Sequence, residues 1–188
     1  MTGRRAALLA CAATGFALVI SGAWIPVKAT LAQALLARAW AAARAGEPSP
    51  RPWPWADMHP VARLAVPALG IGLTVLADAS GRSLAFGPGW VAGSALPGAT
   101  GTSVISAHRD THFAFLPRLA PEHDVVLETP DGARTRFRLV DARVIAAAAA
   151  SLPALSLDGP RLVLVTCWPF DALAAATPWR YVATLAPA

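Results

Sequence analysis

From Val61 to the C-terminus the chain is cut into short apolar runs separated by turn residues. Candidate strands are Ala62–Val66, Gly72–Leu76, Thr102–Ala107, Asp124–Thr129, Thr135–Val144, Arg161–Thr166 and Arg180–Leu185. Pro130-Asp131-Gly132 supplies the turn of a hairpin between two of them. Strands this short bury little alone. Their number and spacing predict a mainly β fold, a closed barrel of seven to eight strands with short helices. Phe113–Leu119 predicts one such helix. Ala146–Leu152 reads equally as helix or loop, because a run of alanines carries no direction of burial.

The N-terminal third has a different character. Arg4 and Arg5 precede Ala6–Ile25, which holds no charge and is long enough as a helix to span the ~30 Å bilayer core. The reading favoured is a single-pass transmembrane signal-anchor over residues 6–25, behind a cytoplasmic tail of residues 1–5. A cleaved signal peptide is the alternative, with Ser21 and Ala23 before the cut. Leu8-Leu9-Ala10-Cys11 looks like a lipobox, but the apolar stretch ahead of Cys11 is too short for one. Lys28, Arg38 and Arg44 follow the segment, so flanking charge does not decide its orientation. Ala29–Ala45 predicts a helix, with Leu31, Leu35, Leu36 and Trp40 on one stripe. Gly46–Pro60 carries Pro48, Pro50, Pro52, Pro54 and Pro60 around Trp53 and Trp55. That pattern predicts a stiff, extended linker whose tryptophans sit at headgroup level or pack on the domain. Residues 26–60 therefore form a helical and linker segment, and residues 61–188 a single β domain.

The formal charge of +5 comes almost entirely from scattered arginines. Arg134, Arg136 and Arg138 alternate, so on a strand they share one solvated face. No aromatic shares that face with them as a stacking platform requires, which favours a solvated sheet face over a nucleic-acid stripe.

The chemistry gathers at three places. The apolar run Leu162–Val165 leads into Thr166-Cys167-Trp168-Pro169, and Pro169 bars continuation as a central strand. Cys167 therefore ends a strand. Cys11 lies in the N-terminal apolar stretch and is no disulfide partner for it. A lone cysteine with a histidine and an arginine elsewhere is the pattern of a thiol nucleophile, although a buried strand cysteine is the ordinary alternative. His108, in Ser106-Ala107-His108-Arg109-Asp110-Thr111-His112, follows an apolar strand directly. His108, Asp110 and His112 form an H-x-D-x-H pattern that lacks a further ligand, so no metal and no cofactor is expected. Arg180 opens the last strand, where a guanidinium beside a thiol can hold an oxyanion or a peptide carbonyl.

These residues resemble the sortase family. Leu164-Val165-Thr166-Cys167 is similar to the family's T-L-x-T-C signature, Ser106–Thr111 to its histidine motif, and Arg180 to its essential arginine. Leu64-Ala65-Val66-Pro67 resembles the opening strand, and Phe86-Gly87-Pro88-Gly89-Trp90 with Leu96-Pro97-Gly98 the segment before the histidine strand. The likeness is closest to the sortases of Gram-negative bacteria. Val163, His123-Asp124 and Thr177-Pro178-Trp179 depart from the family pattern at loop and packing positions. The resemblance implies a cysteine transpeptidase with His108, Cys167 and Arg180 as catalytic residues and Asp110 as a possible orienting group. It implies an extended peptide groove, to which the apolar stretch Ala146–Gly159 would contribute Leu155 and Leu157, with Thr166 also among the substrate-binding residues. The partners implied are a secreted protein with a C-terminal sorting signal, an amine acceptor, and the membrane through the N-terminal helix. The location implied is the cell inner membrane, with the catalytic domain on the periplasmic side. Two rival classes are a non-catalytic, membrane-tethered β-barrel binding module and an L,D-type peptidoglycan transpeptidase. The latter's Ser-His-Gly-Cys-x-Arg motif is absent here.

Overall fold

The computed structural model describes residues 31–151, 160–172, 174 and 177–188. Its strands are β1 (Pro60–Val66), β2 (Ile71–Leu76), β3 (Gly89–Trp90), β4 (Thr102–Ser106), β5 (Val125–Glu128), β6 (Arg134–Ala146), β7 (Arg161–Trp168) and β8 (Trp179–Pro187). They close into a barrel in the order β1-β2-β3-β4-β7-β8-β6-β5. Closure leaves no free sheet edge. The pairs β2–β3 and β4–β7 are parallel, and the others are antiparallel.

Alternation along each strand sorts its side chains. In β7, Leu162 and Leu164 point into the barrel and join Ile105, Phe113, Phe115, Leu127 and Leu185 in its core. Val163 and Val165 point outward, yet they too are buried, in a second cluster with Val104 and Val182. β7 is thus apolar on both faces, as its near-continuous hydrophobic run requires.

Seven strands match the runs marked in the sequence. The eighth, β3, has only two residues, too few for any periodicity. Its glycine is obligatory for packing: a Cβ on Gly89 would stand 2.3 Å from the Asp78 carbonyl oxygen. The hairpin turn at Pro130–Gly132 joins β5 to β6, with Gly132 at φ 87° and its N–H donating to Thr129 O at 2.9 Å. The helix expected over Phe113–Leu119 is not formed. A series of turns leads into one 3-10 turn, Leu116–Arg118, and Leu119 is extended to carry the chain toward β5. Phe113, Phe115, Leu116 and Leu119 are all buried, so core filling rather than helical periodicity sets their spacing. Ala147–Ala149 forms a single 3-10 turn, and residues 152–159 lie outside the described set.

The segment ahead of β1 is not a free spacer. Helix α1 spans 31–44 and buries Ala32, Leu36, Ala39, Trp40 and Ala43, while Leu31 faces outward. Leu36 packs with Ala56, Met58 and Leu76, which joins α1 and the proline-rich stretch to the barrel wall. Trp53 meets Phe86 edge-on at 5.2 Å. Gln33 Nε2 donates to Phe86 O at 3.0 Å, and Arg44 pairs with Glu128. Phe86 follows a short helix α2, Gly81–Leu84, absent from the sequence expectations. The prolines stiffen the segment, but apolar burial decides where it lies. The expected transmembrane segment, residues 6–25, and Cys11 fall outside the described residues. Among the described residues no helix is long and apolar enough to cross a membrane.

On β6, Arg134, Arg136 and Arg138 share one exposed face. Arg134 pairs with Glu128 at 3.2 Å, and Arg138 with Asp124 at 2.9 Å. These are surface ion pairs on a solvated sheet face.

Candidate active site

Strand pairing places the thiol. β7 and β8 run antiparallel, with Val165 opposite Val182 and Cys167 opposite Arg180. Directly opposed residues share a face, with Cα atoms roughly 4.5–5.5 Å apart. Cys167 and Arg180 therefore project together from the outer side of the barrel. On the other flank, β4 runs parallel to β7 with Ser106 level with Val165. Two residues further along each chain stand His108 and Cys167. β4 itself ends at Ser106, so His108 stands two residues beyond it. The pairing thus sets Cys167 opposite Arg180 on one side and next to the chain segment that carries His108 on the other.

The sequence dictates why each element stops there. Pro169 follows β7 by one residue and cannot donate to a ladder. β4 ends at Ser106, and its chain then turns: Phe113 N–H donates to His108 O at 3.0 Å, closing a loop over 108–113. The start of that loop is fastened to β7. Ala107 N–H donates to Val165 O at 3.2 Å, and Thr166 Oγ1 donates to Ala107 O at 2.7 Å.

Cys167 is a free, half-buried thiol. His108 is exposed, and among the described residues its imidazole makes no hydrogen bond. Arg180 is half-buried, and its Nη1 donates to Thr177 O at 2.8 Å and to Trp179 O at 2.9 Å. Its Nε and Nη2 carry no hydrogen bond among the described residues, so donors remain for a ligand. Behind the thiol, Val104, Val163, Val165 and Val182 form an apolar band with Val91 and Ile145. Beyond Cys167, Phe170 packs edge-on against Tyr181 at 5.2 Å and caps this end of the barrel core. Burial raises the Tyr181 phenol above its ordinary pKa.

Other sequence candidates sit differently. Thr166 was expected to bind substrate. It lies on the inner face of β7, is 2% exposed, and spends its hydroxyl on Ala107 O. The strand's two-residue period makes Cys167 and Thr166 face opposite ways, so Thr166 is a fastener of His108's strand end. Asp110 is exposed and forms no hydrogen bond with His108. Leu155 and Leu157 lie outside the described residues. His112 is held below the ordinary histidine pKa, first by burial and then by the charge of His108, with Asp110 opposing. Among the described residues, no three or more His, Cys, Asp or Glu side chains gather as a metal site.

One residue's burial escaped the sequence reading. Arg109 stands in the histidine motif, and it is 7% exposed. Its Nη2 donates to the carbonyls of Ala172 and Ala174, across the connection from β7 to β8. No periodicity marks a loop arginine for burial, so no local signal announces it.

The chain matches the family model described as the sortase domain over residues 64–188. No curated protein is similar to it in sequence. Solved structures are similar. Sortase C1 of Streptococcus agalactiae has a TM-score of 0.59 at 20% identity, covering 69% of this chain and 67% of that one. Sortase A from Corynebacterium diphtheriae has a TM-score of 0.60 at 22% identity, covering 71% of this chain and 63% of that one. The catalytic domain of B. anthracis SrtD has a TM-score of 0.56 at 29% identity, covering 69% of this chain and 87% of that one. A matched family model over two thirds of the chain, on a closed eight-stranded barrel with a cysteine at the end of β7, makes this chain a member of the sortase family of cysteine transpeptidases.

Proposed function

We propose that this protein cleaves the C-terminal sorting signal of a secreted protein through a thioester on Cys167 and transfers the acyl part to an amine at the cell envelope. The observation that supports this reading is the register of β7 and β8, with Cys167 opposite Arg180, beside a β4 strand whose chain continues into His108.

The chemistry follows from those neighbours. The Cys167 thiolate attacks the scissile carbonyl carbon; an S–C bond forms and the carbonyl oxygen becomes an oxyanion. Arg180, through its uncommitted Nε and Nη2, donates to that oxyanion or to a neighbouring peptide carbonyl. The C–N bond then breaks and the leaving amine takes a proton from His108, leaving the thioester. An incoming amine attacks the thioester, His108 accepts its proton, and the thiolate departs as the new amide forms. The apolar band of Val104, Val163, Val165 and Val182 ends at Cys167. This favours an apolar side chain just upstream of the cleaved bond.

The uncharged segment Ala6–Ile25 and the Trp/Pro-rich stretch after it support a place in the inner membrane, with the barrel on the periplasmic side. Together with the aromatic, proline and phenylalanine after Cys167, they favour the sortases of Gram-negative bacteria as the subgroup. Mass spectrometry of the full chain, recovered from its native envelope, tests the thioester. An acyl adduct on the Cys167 peptide is expected, removed by hydroxylamine and absent from Cys167→Ala. An adduct that persists in Cys167→Ala would sink the reading.

A further inference from the structure

His108 lies between two neighbours that are both buried and both fastened to the Cys167 hairpin. On its N-terminal side Ala107, 4% exposed, is bonded to β7 through Val165 O and Thr166 Oγ1. On its C-terminal side Arg109, 7% exposed, reaches the connection between β7 and β8. Nη2 of Arg109 donates to Ala172 O at 2.7 Å and also to Ala174 O. That same connection begins just after Cys167 and ends at Thr177, whose carbonyl accepts from Arg180 at 2.8 Å. One side chain therefore links the loop bearing His108 to the segment joining Cys167 to Arg180.

The electrostatics of Arg109 are unusual for mere packing. Among the described residues it pairs with no carboxylate, and its Nη1 is buried without a hydrogen-bond partner. Burying a guanidinium without a counter-charge is costly, and an apolar residue would fill the space more cheaply. What an apolar residue cannot do is donate to two carbonyls of one loop, as the planar Nη2 group does here.

We propose that Arg109 is a positioning residue that holds His108 and Arg180 in register with Cys167 by clamping the β7–β8 connection. The inference rests on the assignment of His108, Cys167 and Arg180 as the reacting set. Misplacing a catalytic group by about 1 Å costs up to roughly 10²-fold in rate, so a clamp of this kind is a large lever.

The test needs no sorting signal. Cys167 in the full chain is alkylated with iodoacetamide across pH in the wild type, Arg109→Ala, Arg109→Met, Arg109→Lys and His108→Ala, with folding checked by circular dichroism. Loss of the clamp should move the rate at neutral pH by roughly tenfold, part of that range, and shift the pH profile of Arg109→Ala onto that of His108→Ala. Methylguanidine should restore the wild-type profile in Arg109→Ala. Arg109→Met, which fills the space without a donor, should behave as Arg109→Ala, and Arg109→Lys should fall between. A wild-type profile for a folded Arg109→Ala overturns the clamp. If Arg109→Ala does not fold, a wild-type profile for Arg109→Met overturns it instead. A His108→Ala profile equal to wild type would reject the reacting set itself, which separates that failure from failure of the clamp.

Discussion

At the scale of single residues, the candidate site is braced by buried side chains. Thr166 is the clearest. Replacing it with valine keeps its shape but removes the donor to Ala107 O. A buried carbonyl left unpaired costs about 1–3 kcal/mol, so Thr166→Val should lower the urea midpoint accordingly. It should also slow turnover, because Ala107 anchors the strand end that carries His108. For the residues proposed to react, Cys167→Ala should abolish thioester formation. His108→Ala and Arg180→Ala should each reduce turnover by roughly 10² or more. A wild-type rate in Arg180→Ala would place the oxyanion donor elsewhere. His112 adds a pH dependence. Its pKa in the folded protein lies below the unfolded value, so the unfolded chain binds more protons between the two. Its contribution to stability is complete above the unfolded pKa of about 6.5 and is lost as pH falls through the folded value. Urea midpoints measured at pH 7.5 and pH 5 should differ less in His112→Asn than in the wild type.

At the scale of elements, β7 with β8 is the working part, and α1 is its distant support. β7 and β8 pair along their length from Leu162–Leu185 to Trp168–Trp179, which fixes the position of Arg180 relative to Cys167 without any loop contact. A one-residue slip would turn Arg180 to the opposite face. Helix α1 does a different task. Leu36 is 1% exposed and packs on Met58, Ala56 and Leu76. Leu36→Ala should cost about 2–5 kcal/mol of whatever stability the docked helix adds. Denaturant unfolding should show that loss, and Trp53 fluorescence should report release of the linker. Cys167 alkylation should stay near wild type, since α1 packs on Ala56, Met58, Leu76, Phe86 and Glu128, none of them a candidate site residue. Loss of alkylation on loosening α1 would mean that the linker and the site are coupled.

For the whole molecule, the barrel arrangement explains how residues far apart in sequence are brought together. The parallel β4–β7 pair joins strands separated by β5 and β6, and that crossover brings the strand that leads into His108 alongside the strand that leads into Cys167. The same closure presents the reacting face outward at one end, while the docked α1 and proline-rich segment cover another part of the wall. The uncharged run at residues 6–25 precedes this assembly, and the proposed anchoring through it puts the thiol outside the cytoplasm. A reporter fused to the C-terminus and active only outside the cytoplasm should be active, while one that needs the cytoplasm should be silent. The reverse pattern would contradict a periplasmic barrel.

Several features follow from local sequence alone. The strand positions were legible because short apolar runs bounded by Pro and Gly admit few other structures, and the hairpin turn because Gly132 adopts a positive φ. Cys167 at a strand's end was legible because Pro169 stops the ladder. Tertiary structure decided the rest. β3 exists only because neighbouring strands offer two residues a place in the barrel. Thr166 faces inward because pairing sets which side of β7 meets the core, and composition does not state that side. The linker folds onto the barrel because Leu36, Ala56 and Met58 find Leu76, a contact made across sequence distance. Arg109 is buried because the β7–β8 connection passes over it, and a loop's path depends on what both its ends are paired with. Periodicity and turn chemistry act over a few residues, so they specify elements. Register, closure and loop docking arise between elements, so only the folded chain determines which side chains share the rim.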